Sequence, residues 1–64
     1  MKSAGQVFKS AREKLGLTQV QAAQKSGIHI NTYTRIERGE QKPTFATIKK
    51  IAKALNISTD DIPA

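Results

Sequence analysis

Residues 18–39 read TQVQAAQKSGIHINTYTRIERG, and this stretch leaves the backbone little choice. Thr18 and Gln21 have the Ser/Thr-x-x-Glu/Gln spacing of a capping box, which opens a helix by exchanging side-chain and backbone hydrogen bonds. Gly27 ends that helix, because a glycine enters the left-handed backbone region that a sharp exit needs. A second helix follows at once from His29, and Gly39 closes it. Two short helices with so tight a joint must cross steeply. Ala22, Ala23 and Ser26 share the inner face of the first and are all small, so the second can approach closely. Tyr33 and Ile36, three residues apart, face inward from the second; Ile28 plugs the turn, and Val20 is left near solvent. The second helix starts with His29, Ile30, Asn31 and Thr32. A helix N-terminus favours acidic side chains, and none is present there.

The flanking segments are also helical. Ala4, Val7, Phe8, Ala11 and Leu15 recur at the spacing of one apolar helix face, with Lys9, Arg12, Glu13 and Lys14 mostly between them, and Gly16 stops that helix. After the loop GEQKPT, Pro43 and Thr44 launch another, with Thr44 as N-cap. Its buried stripe is read as Phe45, Ile48, Ile51, Ala52 and Leu55, with Asn56 ending it and Ile57 packing below. STDD, from Ser58, is an acidic capping box opening a short last helix. No period-2 alternation suggests a strand. The predicted fold is therefore all-α: a compact bundle of four to five short helices at about 3–15, 18–26, 29–38, 44–55 and 58–62, forming one domain over 1–64.

A chain of 64 residues supports one small core, and only Phe8, Tyr33 and Phe45 are aromatic. There is no cysteine to form a disulfide or a thiolate metal site, which fits a reducing, cytoplasmic setting. No run approaches the roughly 18 apolar residues of a membrane span, and no charged-then-apolar leader opens the sequence. No catalytic set is visible, so no enzyme is expected, nor any cofactor. His29 has no second ligand for a metal; it reads as an N-cap or a phosphate contact. Eleven Lys and Arg face five Asp and Glu, a net charge of +6. The positive excess runs through residues 1–57 and reverses only at Asp60 and Asp61. A compact basic domain lowers its electrostatic energy beside a polyanion. Nucleic acid is the first candidate and an anionic membrane the second; charge kept for solubility alone is the plain alternative. The membrane reading needs an exposed amphipathic helix, and every apolar stripe here is needed for the core.

The pattern GLTQ…A…SGI…TYTRIERG…P…I..IAKAL.IS resembles the helix-turn-helix family of phage repressors and Cro proteins, to which many small bacterial regulators belong. The resemblance covers about residues 5–62. It makes helices 2 and 3 the helix-turn-helix and implies a homodimeric, sequence-specific regulator of transcription, most simply a repressor on a two-fold operator in double-stranded DNA. It places Ile30, Asn31 and Arg35 on base edges. The chemistry suits them: asparagine can pair with adenine, arginine can fork onto guanine, and isoleucine can lie on a thymine methyl. It implies phosphate contacts at Gln19, where helix 2 begins. Arg38, Lys42 and Thr44 read as a second phosphate clamp, while His29, Thr32 and Thr34 are phosphate contacts or idle surface. It also implies a salt bridge between Arg12 and Glu37 that fixes geometry. Two positions depart from the family pattern: Ala22 is smaller than usual and Tyr33 larger, which suggests that one compensates the other, with the Tyr33 hydroxyl reaching the surface or a phosphate. Lys49, Lys50 and Lys53 read as a solvated flank.

Other functions fit the same fold. An antitoxin repressing its own operon and the controller of a restriction–modification system are indistinguishable from a repressor at this level. A protein-interaction module that has lost DNA is a third possibility, against which Asn31 and Arg35 argue. A fragment of a longer regulator, without its sensor or oligomerisation domain, is also compatible.

Overall fold

The computed structural model describes residues 3–63. Four helices follow in order: α1 Ala4–Lys14, α2 Gln19–Ser26, α3 Ile30–Arg38 and α4 Phe45–Ala54. A single 3-10 turn, Thr59–Asp61, comes last. Each α-helix starts one residue inside the boundary expected from sequence, because Ser3, Thr18, His29 and Thr44 are extended caps and not helical residues. Thr18 and Gln21 form the expected capping box, and Ser3 and Gln6 form another. Thr44 Oγ1 accepts the Thr47 N–H at 3.2 Å. Gly27 takes φ 70°, and Asn56, with φ 60°, turns the chain after α4. The acidic box at the C-terminus is not formed as expected: Ser58 Oγ accepts the Asp60 N–H, one residue too early, and the segment is a 3-10 turn. Three residues are too few to complete an α-helical turn.

α1 packs against α3, and α2 packs against both α3 and α4. Phe8, Ala22, Ala23, Tyr33, Ile36, Ile51 and Leu55 fill the space between them and are essentially inaccessible. Ile28, Ile48 and Ile57 are half-buried around this cluster.

Two apolar stripes are shorter than their periodicity suggests. Phe45 is 70% exposed, because the first residue of α4 projects beyond the end of the core; the buried part of α4 is Ile51, Ala52 and Leu55. Leu15 is 47% exposed as the cap residue after α1, and Val7 is only half-buried. Gly5 takes their place at the interface. A Cβ built there would land on the carbonyl oxygen of Ile36 and lie 2.7 Å from that of Glu37. The bare glycine is what allows α1 to lie directly on the α3 backbone.

Candidate nucleic-acid interface

The joint between α2 and α3 fixes how α3 is displayed. Ala22, Ala23 and Ser26 are buried, and Ser26 Oγ donates to the Ala22 carbonyl at 2.7 Å, so no polar atom on that face needs water. Gly27 then turns the chain, and the Ile28 N–H returns to the Ala23 carbonyl at 3.1 Å. Tyr33, Ile36 and Glu37 anchor one side of α3. Its other side leaves Asn31, Arg35 and Arg38 exposed.

Asn31 and Arg35 are four residues apart, one turn of the same helix, and so share a face. His29 caps α3 through Nδ1, which accepts the Asn31 N–H at 3.1 Å. No acidic residue lies in the first turn. Ile30, expected at a base edge, is half-buried and packs against the core. Thr32 and Thr34 are half-buried, and Thr34 Oγ1 donates to the Asn31 carbonyl at 3.1 Å. Lys42 and Thr44 are exposed beyond α3. Arg38 pairs loosely with Glu40, Nη1 to Oε2 at 3.5 Å, with both side chains largely in solvent.

Behind this surface lies a buried polar cluster. Arg12 Nε donates to Glu37 Oε2 at 2.8 Å and Nη2 to Oε1 at 3.2 Å, a two-pronged pair between α1 and α3. Arg12 Nη1 also donates to the Leu17 carbonyl at 2.8 Å, which ties the loop before α2 to the same guanidinium. Gln19 Nε2 donates to Glu37 Oε1 at 3.1 Å. The first residue of α2 is thus held from α3 while its backbone remains at the helix end. The side chains of Arg12 and Glu37 are 12% and 3% exposed.

Burial alone raises the Glu37 pKa, but the hydrogen bonds from Arg12 and Gln19, with the Tyr33 hydroxyl close by, outweigh it and hold the carboxyl below its ordinary value. The same pairing raises the pKa of Arg12. Tyr33 does not reach the surface: Oη is buried and has no formed hydrogen bond among the described residues. Burial first, and the Glu37 carboxylate second, raise the pKa of the phenol. Tyr33 and Ala22 are both wholly buried in one cluster.

Sequence reasoning missed two contributors to this site. Gly5 sets the distance between α1 and α3, and its only signal was a glycine inside a helical stretch with no turn to explain it. The side-chain bond from Gln19 to Glu37 joins residues eighteen apart and had no local signal.

A helix-turn-helix family description matches residues 8–62, nearly the whole chain. This chain belongs to the helix-turn-helix family. The family comprises DNA-binding transcriptional regulators and not enzymes. A transcriptional regulator of Bacillus subtilis, ImmR, is 40% identical over 58 residues, covering 91% of this chain and 46% of its own. The chain spans about half the length of that relative and of the cryptic phage repressor RstR of Vibrio cholerae. Among solved structures, the restriction–modification controller protein C.AhdI of Aeromonas hydrophila superposes with TM-score 0.85 at 32% identity, over 89% of this chain and 86% of that one. The biofilm regulator SinR, crystallised with DNA, superposes with TM-score 0.85 at 28% identity, over 89% and 92%. Among the described residues, no helix is long and apolar enough to cross a membrane.

Proposed function

We propose that the chain binds double-stranded DNA as a sequence-specific transcriptional regulator, a repressor that occupies a two-fold operator as a homodimer. One observation carries this reading: Asn31 and Arg35 stand exposed one turn apart on a helix whose opposite face is locked into the core. An α-helix fits the major groove of B-DNA, about 12 Å wide, where both side chains have bidentate partners. Asn31 and Arg35 read bases, and Ile30 offers an apolar edge to a thymine methyl from its half-buried place. The amide end of α2 at Gln19, together with His29, Arg38, Lys42 and Thr44, engages phosphates; Thr32 and Thr34 line the same flank. One short helix reads only a few base pairs, so two copies are required for a useful operator. The relatives named as repressors, and SinR in complex with DNA, support this reading.

Selection of bound duplexes from a random pool tests it. A consensus with two-fold symmetry is expected. Asn31→Ala and Arg35→Ala should each relax preference at separate positions, at a cost of about 1–3 kcal/mol per lost bidentate contact. Unrelated sequences recovered only at low salt, or an unchanged consensus with both residues replaced, would show that the protein is merely basic.

A second reading is favoured by the structural match to the controller protein, with TM-score 0.85 at 32% identity. A gene for a restriction endonuclease beside this one would support a controller of that kind.

A further inference from the structure

The domain keeps three aromatic residues, and one of them is left outside. Phe8 and Tyr33 are wholly buried, whereas Phe45 is the most exposed large apolar side chain described. Neither the core nor the cap explains it: Thr44 makes the capping bond, and Ile51 and Leu55 hold α4 to the core. The ring is engaged on one side by Lys49, whose Nζ lies 5.5 Å from its centroid, one helical turn further on. From residue 41 to 57 every charged side chain is basic. Lys42 precedes the cap, Lys49 lies over the ring, and the first turn of α4 has no acid. A second copy of this +6 chain would meet like charge here, while a polyanion would meet an ammonium and unpaired helix amides beside an apolar surface.

Resting on the DNA-binding reading above, we propose that Phe45 is a duplex contact in its own right. It packs against the deoxyribose edges that wall the minor groove, next to the phosphate held by the amino end of α4, with Lys49 supplying a neighbouring phosphate contact. An apolar wedge beside a cation is a combination suited to that groove. The contact adds affinity that does not depend on counterion release, and favours sequences whose groove admits the ring. It lies outside the face of α3 that reads the major groove.

The test uses the full chain and a half-site duplex, cut from the consensus that selection recovers, with about one helical turn of flanking DNA. A half-site separates DNA contact from contact between copies. Phe45→Ala should weaken half-site binding about tenfold, with no change in the slope of log K against log salt. Phe45→Leu should fall between it and the parent. Lys49→Gln should lower that slope by about one. The ring is exposed, so circular dichroism and the thermal midpoint should stay unchanged in all three. Parental half-site affinity in Phe45→Ala would overturn the proposal. So would intact half-site binding by Phe45→Ala combined with weakened self-association of the free protein by sedimentation equilibrium, which would assign the ring to a protein interface. Failure of the parent itself to prefer the half-site over random duplex would instead remove the DNA-binding reading, and this proposal with it.

Discussion

Glu37 shows how one residue can be costly to bury and still be needed. Its carboxylate is nearly inaccessible, yet Arg12 and Gln19 hold both oxygens. Removing one partner of such a pair leaves the other charge stranded, typically at about 3 kcal/mol or more. Glu37→Ala should therefore lower stability by about that amount in urea unfolding at pH 7, and weaken DNA binding without altering base preference, since the Glu37 carboxylate is buried against Arg12 and Gln19. An altered preference at unchanged stability would disprove this role. The lowered pKa gives the pH dependence. A carboxyl whose folded pKa is lower than its unfolded one stabilises the fold above the unfolded value, and that stability is lost as pH falls through the folded value. For Glu37 the loss begins near 4.5, the ordinary value, and deepens below it. Urea midpoints measured from pH 7 to pH 2 should drop in that window, and the drop should be smaller in Glu37→Gln. Gly5 is the other residue with no substitute. A methyl group there meets backbone carbonyls, which cannot rotate away. Gly5→Ala should destabilise by about 3 kcal/mol, the upper part of the range for overpacking, despite alanine's better helix propensity.

At the scale of elements, the chain was readable wherever structure is set by neighbours in sequence. Thr18 and Gln21, Gly27, Thr44 and Asn56 start or stop helices through bonds spanning at most a few residues, and each occupies its expected role. Tyr33 and Ile36 were likewise legible from spacing. Legibility failed where an element ends against something else. Periodicity continued the α4 stripe to Phe45 and the α1 stripe to Leu15, because periodicity carries no information on where the opposing surface stops. The 3-10 turn failed for a related reason: a capping motif needs a helix long enough to cap. At the site, the inward place of Tyr33 and Ile36 followed from helix phase and the outward place of Asn31 and Arg35 was what the family resemblance implied, whereas the half-burial of Ile30 and the reach of Gln19 to Glu37 depend on how α2 and α3 cross. Two substitutions separate these cases on α4. Ile51→Ala should cost about 2–5 kcal/mol as a buried truncation, and Phe45→Ala less than about 0.5 kcal/mol as a surface one. Equal losses in thermal melts would mean that the stripe runs to Phe45 after all.

For the whole molecule, the governing quantity is a net charge of +6 spread over a body only about 24 Å long. At physiological salt the screening length is about 8 Å, so distant lysines contribute little at a bound phosphate and local charge decides. The local exception is Glu40. It stands beside the exposed end of α3, 3.5 Å from Arg38, where a DNA backbone would bring further negative charge. Both side chains are more than half exposed, so the pair itself adds little to stability. Under the proposed DNA-binding reading its effect on binding is larger, because Arg38 would have to leave Glu40 to engage a phosphate that Glu40 repels. Glu40→Gln should thus tighten duplex binding about threefold to tenfold at ~50 mM salt, and hardly at all at ~500 mM, where such surface charges are screened. The thermal midpoint should barely move. Arg38→Gln should do the reverse: weaker binding on all sequences, a salt slope shallower by about one per protomer, and the same base preference. If Glu40→Gln left affinity unchanged at low salt while Arg38→Gln shifted the consensus, Arg38 would belong with the base-reading residues and the clamp would have to be sought at Lys42 and Thr44 alone.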